Sequence, residues 1–366
     1  MTIILGLDIG GANTKVVLIN IKRKEIIESF SYIKYFPFWE KNITEISEML
    51  EKVVKNLVEN NKYKFNSINY FAITITAELS DAFQTKREGI QTILNALEKI
   101  FEKEKLRFIT NKCKFIDFSM AKSDYSSVAA ANWAATALFL GNFESTCILI
   151  DAGSTTIDII PILNSIPVPQ GKDDISRLIN NELIYTGGLR ATIPSITHHV
   201  PYNGKSVRIS FEKFALISDI HRILNHITEE EYINDTADNR SKSLEDCYAR
   251  LSRVICMDIE TVSKEELDLI ANSIYQKQLE IITSEIKAFT DNLTKRYKEF
   301  NDNLKFVITG LSADFLIKKP LQDLGFTNII NYEEITKIPD NVSSSAFAVA
   351  GALYNQIEQY KKENER

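Results

Sequence analysis

The chain has 366 residues, 44% of them hydrophobic and 25% charged, which is typical of a globular protein with an ample core. Its formal net charge of −6 and isoelectric point near 5.5 argue against nucleic acid as the main partner, because no broad basic surface is expected. The longest apolar stretch, residues 128–140, is too short to cross a bilayer, and the four cysteines form no C-x-x-C pair, so we expect a cytoplasmic protein without zinc or disulfides.

The first half of the chain alternates strands and helices. Continuous apolar runs predict buried strands, and apolar residues three or four apart predict helices. These patterns predict the order β-β-β-α-β-α-β-α, at residues 3–9, 15–21, 25–36, 40–60, 70–76, 91–104, 114–118 and 126–140.

The same plan then begins again. The predicted elements of the second half are strands at 146–150, 157–163 and 181–185, helical residues 264–299, a strand at 306–309, a helix at 314–324, a strand at 328–331 and a final helix at 343–360. Two halves with one plan indicate an internal duplication.

The duplication predicts a duplicated α/β fold with two lobes and a central cleft. The first lobe comprises residues 1–142 and 343–366, and the second comprises residues 143–342. An inserted segment at about 189–262 interrupts the second lobe. Such insertions usually carry substrate specificity or oligomer contacts.

The first candidate site is a small-residue turn between the two N-terminal strands. It contains Gly10, Gly11, Ala12, Asn13 and Thr14, whose backbone N–H groups and two polar side chains can approach an anion. Lys15 adds positive charge, and Asp8 at the end of the first strand could hold Mg²⁺ against phosphate oxygens. An ordinary glycine hairpin explains the same pattern, so this turn alone leaves both interpretations open.

A second turn of the same kind lies in the second half. It contains Gly153, Ser154, Thr155 and Thr156. Asp151 precedes this turn as Asp8 precedes the first, so we expect it to be a second metal-linked carboxylate. Asp158, just after the turn, is expected to secure the hairpin.

The two turns, on duplicated halves, resemble those of the superfamily of actin, hsp70 chaperones and sugar kinases. Residues 307–313, with Gly310, are similar to the strand–turn–helix that meets the nucleoside in those proteins. The resemblance implies a duplicated ribonuclease-H-like fold.

Several further motifs resemble the hydantoinase/oxoprolinase-like family linked to tetrahydromethanopterin one-carbon metabolism, and within it the archaeal enzymes of methanofuran biosynthesis. These motifs are GLDIGGANTK at 6–15, TITAELSD at 74–81, ANW at 131–133, YTGGLR at 185–190, TAD at 236–238 and ARLSR at 249–253. The similarity runs from residue 3 to about 353 and is weakest between 226 and 245.

This resemblance implies a transferase. It would join (5-aminomethylfuran-3-yl)methyl diphosphate to the phenol oxygen of γ-glutamyltyramine and release diphosphate. The two turns, Lys15 and Mg²⁺ would then stabilise the charge of a leaving group. The partners implied are these small molecules, with no nucleic acid and no membrane, and a homo-oligomer is left open.

The resemblance also assigns further candidate residues. Glu78 and Asp81 occupy the place where sugar kinases of this fold have a catalytic carboxylate, so either could take the phenol proton, although a solvated loop pair is the alternative. The substrate-binding candidates are Asn132, Gly187, Gly188, Arg190 and Gly310. Arg190 and Arg250 could bind the carboxylates of the glutamyl group, although a surface ion pair explains Arg190 equally well. His198 and His199 could be metal ligands or a base, but a packed loop is favoured.

Two other functions remain open at this stage. Every element needed to bind ATP phosphates is present, which allows an ATP-dependent small-molecule kinase or an ATPase of the same fold. A non-catalytic, nucleotide-responsive activator is the third alternative. The products distinguish them: diphosphate without ATP, ADP with an acceptor, or nucleotide binding without turnover.

Overall fold

The computed structural model of the chain describes residues 1–22, 25–40, 44–301, 304–339 and 344–364. Residues 41–43 and 343, near the starts of two predicted helices, lie outside the described residues. The strands are β1 (Thr2–Gly10), β2 (Asn13–Lys22), β3 (Glu25–Tyr35), β4 (Tyr70–Thr76), β5 (Leu106–Ile109), β6 (Phe115–Ile116), β7 (Cys147–Ala152), β8 (Ile157–Leu163), β9 (Ile166–Pro167), β10 (Leu183–Ile184), β11 (His199–Tyr202), β12 (Lys205–Arg208), β13 (Phe306–Thr309) and β14 (Ile329–Asn331).

The helices are α1 (Glu45–Asn60), α2 (Lys86–Ile100), α3 (Phe118–Ser123), α4 (Tyr125–Val128), α5 (Asn132–Gly141), α6 (Asp174–Ile179), α7 (Ile217–Ile223), α8 (Leu244–Arg253), α9 (Lys264–Arg296), α10 (Ala313–Leu316), α11 (Lys318–Asp323), α12 (Tyr332–Thr336) and α13 (Ser344–Asn364). Two of the helices are long: α9, which follows the inserted segment, and α13, at the end of the described chain. Among these described helices, none combines the length and the apolar character that crossing a bilayer requires.

The chain forms two compact units. The first comprises residues 1–147, 160–177 and 331–366, and the second comprises residues 148–159 and 178–330. Each unit has an apolar cluster of its own. In the first unit it joins side chains of the sheet to those of α1 and α2, and in the second it joins side chains of α7, α8 and α9.

The first unit is built on a six-stranded sheet of order β3-β2-β1-β4-β5-β6. β1 is antiparallel to β2 and parallel to β4, so Asp8 pairs with Lys15 on one side and with Thr74 on the other. Residues 3–9 are all buried, which is why they form a continuous apolar run rather than an alternating one. This register places the first turn beside the end of β4.

The second sheet has the order β10-β8-β7-β13-β14, with β9 paired to β8. β13 runs parallel to β7, and Thr309 lies opposite Asp151. The second turn therefore lies beside the end of β13. The predicted third strand at 181–185 is only the two-residue β10. Asn181 instead donates its N–H to the Leu178 carbonyl, and the chain from Gly187 onward bonds to the second turn.

The alanine-rich region shows how tertiary contacts override helix propensity. We predicted one helix over 126–140, but the structure has α4 and α5 separated at residues 129–131. Ala129 pairs with Ile75 as an isolated bridge, and Ala130 has a φ of 48°. Ala130 also donates its backbone N–H to the Ile75 carbonyl, so the end of β4 interrupts the helix.

Candidate active site

Asp8 is the centre of a small polar cluster in the first unit. It is only 6% exposed, and its Oδ2 atom accepts a hydrogen bond of 2.5 Å from the Ser345 hydroxyl of α13. The Lys15 ammonium lies 3.7 Å from the same oxygen and 3.4 Å from the Ser345 hydroxyl. The sequence predicted Asp8 and Lys15, but Ser345 carried no local signal.

The first turn and the strands beside it contain several buried polar atoms without a partner. The Oδ1 atoms of Asp8 and Asn13 and the Oγ1 atoms of Thr14 and Thr74 are buried and have no hydrogen-bond partner among the described residues. Buried polar atoms of folded proteins are nearly always satisfied, so an unsatisfied group in one place indicates a missing partner, such as a ligand.

The residues that follow β3 bind the backbone carbonyls of the first turn. Phe38 donates its N–H to the Gly11 carbonyl, and Phe36 donates to the Ala12 carbonyl. A Cβ atom on Gly10 would lie 2.8 Å from the Asn13 carbonyl oxygen, so this tight turn requires glycine there. With these carbonyls bound by the residues that follow β3, the anion-binding capacity of the turn rests on its N–H groups.

Glu78 follows β4 and lies next to the first turn. A Cβ on Gly11 would be 3.3 Å from the Ser80 Cβ, which shows how closely the turn and the 77–80 loop approach. Glu78 is 1% exposed, and neither carboxylate oxygen has a hydrogen-bond partner among the described residues. Burial raises the pKa of Glu78 to about 7.

The charges around Glu78 belong to an ion pair at the start of α2. Lys86 lies 3.0 Å from Asp174, and its positive charge lowers the pKa of Glu78 while Asp174 raises it. Burial has the largest effect, so the pKa of Glu78 is raised despite the positive charge of Lys86. Asp81, the other predicted carboxylate, is exposed on the same loop.

The second turn is covered by the 186–190 segment of the second unit. Gly187 donates to the Thr155 carbonyl and Gly188 to the Gly153 carbonyl, while Leu189 and Arg190 both donate to Ser154. A Cβ on Gly187 would lie 2.6 Å from the Gly153 oxygen. The two glycines therefore have a packing role that is independent of substrate.

Gly310 and Asp151 lie together at the end of β13. Gly310 has a φ of +95°, and a Cβ there would be 2.4 Å from the Ala152 oxygen and 2.7 Å from the Asp151 Oδ1 atom. The Ser312 hydroxyl donates to the carbonyls of Ala152 and Gly153, both at 2.9 Å. Asp151 is half-buried, and Asp158 is buried within the paired β8 and β10.

A buried chain of hydrogen bonds through Gln278, His221 and His226 supports the 186–190 segment. Gln278 of α9 donates through its Nε2 atom to the Thr186 hydroxyl and the Gly187 carbonyl, so its Oε1 atom must accept from His221 Nε2, 3.0 Å away. His221 is fully buried, which lowers its pKa to about 3 and keeps the ring neutral. His221 Nδ1 is then an acceptor, and His226 Nδ1, 3.1 Å away, is its donor.

Changing Gln278 to Leu is expected to lower the free energy of unfolding by ~1–3 kcal/mol, because it leaves the Thr186 hydroxyl and His221 Nε2 buried without partners. Urea unfolding measures this difference. Gln276→Leu is the matched control, since Gln276 is exposed on the same helix. Equal stability of the two variants would show that the hydrogen bonds of Gln278 do not stabilise the fold.

The other predicted binding residues occupy different environments. Asn132 is half-buried at the start of α5, and the Arg190 side chain is exposed. Arg250 is completely buried, and its guanidinium is 2.8 Å from Asp219 and 3.1 Å from Asp238. The interpretation of Arg250 as a carboxylate-binding residue is therefore wrong, because its donors are used inside the inserted segment.

The two predicted histidines lie on a surface hairpin. His199 begins β11 and pairs with Arg208 of β12, and both His198 and His199 are exposed. The His198 ring packs on Phe211, with 4.9 Å between the centroids. This arrangement agrees with the favoured loop interpretation rather than with a metal site.

A magnesium ion at this site would need ligands from a bound substrate in addition to those from the protein. In the described ranges, no three His, Cys, Asp or Glu side chains are grouped so that they could hold a metal. The buried, unpartnered Oδ1 atom of Asp8 is an oxygen of the kind that Mg²⁺ prefers, and Mg²⁺ commonly uses one or two carboxylates together with phosphate oxygens and water. The residues present therefore fit a metal bound with a diphosphate.

Comparison with known sequences gives a consistent assignment. The sequence model described as Hydantoinase/oxoprolinase matches residues 69–357. The chain is 40% identical over 357 residues to the (4-{4-[2-(gamma-L-glutamylamino)ethyl]phenoxymethyl}furan-2-yl)methanamine synthase of Methanocaldococcus jannaschii, covering 97% of this chain and 99% of that protein. It is 32% identical over 219 residues to the protein of the same name from Methanococcus vannielii, covering 59% of this chain and 94% of that one.

Comparison with solved structures supports the fold alone. The nucleotide-free structure of acetone carboxylase, titled for ATP-dependent acetone carboxylation, has a TM-score of 0.54 at 10% identity and covers 95% of this chain and 70% of that one. Together with the two similar sheets, this likeness confirms the predicted duplicated α/β fold of the actin, hsp70 and sugar-kinase type.

Proposed function

The chain belongs to the hydantoinase/oxoprolinase family, and from this premise we propose that it is the transferase that forms the aryl ether of methanofuran. It condenses (5-aminomethylfuran-3-yl)methyl diphosphate with the phenol oxygen of γ-glutamyltyramine and releases diphosphate. The observation that carries this proposal is the 40% identity to a synthase of that product along 97% of the chain.

The reaction breaks the bond between the furfuryl-type carbon and the diphosphate oxygen. The bonding electrons leave with diphosphate, so negative charge accumulates on that oxygen while the furan ring stabilises the developing cation. Lys15 and the N–H groups of residues 10–14 are the candidate donors for this charge in the first unit. When bound through Asp8, Mg²⁺ would neutralise part of the diphosphate charge.

The phenol oxygen attacks the same carbon and loses its proton. A phenol has a pKa near ~10, so it is mostly neutral at neutral pH and needs a base. Glu78 has a pKa of about 7 and two buried oxygens without a partner among the described residues, which suits it to accept the proton as the new C–O bond forms. Asp81 is exposed and lacks this desolvation.

The direct test is an assay with purified protein, both substrates and Mg²⁺. We expect stoichiometric release of diphosphate and formation of the ether, followed by mass spectrometry, with no requirement for ATP. Each substrate alone is the control for unproductive hydrolysis. Formation of ADP only when ATP and an acceptor are present would instead support a kinase or ATPase of this fold.

A further inference from the structure

The edge of the first sheet is long and unprotected. β3 pairs with β2 on one side, and within the described ranges no strand pairs with its other side. It has eleven residues, contains no proline, and exposes Ile27 to 48% and Tyr32 to 42%. Unpaired edges of this length offer a row of free backbone N–H and C=O groups to another strand.

From this edge we infer that two copies of the chain associate through antiparallel pairing of their β3 strands. The inference is independent of the proposed reaction. In a symmetric antiparallel pair, residues whose backbone groups point outward face one another. These residues alternate along the strand, so the residue numbers of any two facing residues must sum to an even number. This condition leaves a small set of registers.

Charge selects one register from this set. If Ser31 lies on the two-fold axis, Glu28 of one copy faces Lys34 of the other, twice, and Phe30 faces Tyr32. If Phe30 lies on the axis, Lys34 faces Ile26 and no opposite charges meet. Opposite charges across a strand pair are favourable and like charges are not, so the Ser31 register is preferred.

Glu28 is already ordered for such a contact. The Tyr63 hydroxyl donates to its carboxylate, and Asn20 donates to the same oxygen at 3.4 Å. An ordered side chain loses less conformational entropy when it forms a cross-strand ion pair. The pair therefore costs less than one between two freely moving side chains.

A groove beside the edge fits the second copy. A cavity of about 220 Å³ is lined by Tyr32, Lys34 and Phe36 from the strand side and by Glu48, Met49 and Lys52 of α1. Tyr32 and Lys34 are the residues of β3 that line it. In the Ser31 register Phe30 of the second copy faces Tyr32, which lies at the rim of the same groove.

Sedimentation velocity of the intact protein tests this surface. We expect a dimer at tens of micromolar, and we expect Lys34→Glu to weaken it by about 10-fold or more, because four carboxylates then meet at the pairs. The double variant Glu28→Lys with Lys34→Glu should restore the dimer, since each ion pair is re-formed with its signs exchanged. Circular dichroism and thermal unfolding establish that each variant is folded.

Three outcomes would overturn the inference. A parent protein that is monomeric at 100 µM would show that β3 does not pair with a second copy of the chain. A dimer that Lys34→Glu does not weaken must use another surface. Loss of the dimer in Lys34→Glu without recovery in the double variant, when both are folded, rules out the Ser31 register.

Discussion

Replacing Glu78 with Gln is expected to lower kcat by about 10²–10⁴-fold while making the protein more stable above pH 7. Glutamine has nearly the same shape but cannot accept the phenol proton. Glu78 is buried without a partner among the described residues, so its charge destabilises the folded chain and its removal relieves that cost. Activity and stability therefore change in opposite directions.

The pH dependence of this variant follows from the raised pKa. The unfolded chain ionises Glu78 near pH 4.5, and the folded chain does so at about 7. Protonated Glu78 therefore contributes to the free energy of unfolding, and this contribution is fully present below pH 4.5. It is lost as the pH rises through 7, by about 3 kcal/mol in all. Urea unfolding at pH 5 and pH 8 should show the gain of Glu78→Gln only at pH 8.

The rate profile provides the matching measurement. In the parent protein, single-turnover rates should rise as the pH increases through about 7, because the base must be ionised. In Glu78→Gln this rise should disappear. Asp81→Asn, at the exposed carboxylate of the same loop, is the comparison. If Asp81→Asn loses the pH-dependent rise and Glu78→Gln keeps it, the two roles must be exchanged.

The second large effect is expected for Asp8→Asn, which should lower turnover by about 10²–10³-fold with little change in stability. The amide keeps the shape of the carboxylate and can still accept from the Ser345 hydroxyl, but it lacks the negative charge that pairs with Lys15 and attracts Mg²⁺. The protein should therefore fold normally while binding its metal and diphosphate poorly.

Calorimetry with inorganic diphosphate and Mg²⁺ separates binding from turnover in this variant. We expect the affinity for the two together to fall, and the Mg²⁺ concentration for half-maximal activity to rise. Asp291→Asn makes the same chemical change in an exposed pair on α9 and should alter neither quantity. Parent-like binding and turnover in Asp8→Asn would remove the first turn from the reaction.

The sequence predicted those parts of the fold whose evidence is local. Each glycine turn lies between two apolar runs, so both hairpins and the duplication were visible from residue order alone. β5 was not predicted, because its four residues include Arg107 and give too short a pattern. The break between α4 and α5 could not be predicted either, since it depends on pairing with the distant Ile75.

The site shows the same limit. Asp8, Lys15 and Glu78 carry local motifs, whereas Ser345 and Gln278 lie in ordinary helical sequence and acquire their roles only through contacts with distant residues. Arg250 shows the reverse error. Its residue type suggested anion binding, but the carboxylates that it binds are Asp219 and Asp238 of its own chain.

The contact between Ser345 and Asp8 also means that the polar cluster around Asp8 is completed late in the synthesis of the chain. Lys15 and Ser345 are separated by 330 residues, which a ribosome takes roughly 15–70 s to translate. Until α13 has been made and has packed on β1, the nascent chain has the glycine turn and the carboxylate but lacks the hydroxyl that holds that carboxylate in place. We therefore expect a chain that ends before residue 345 to be inactive rather than partly active.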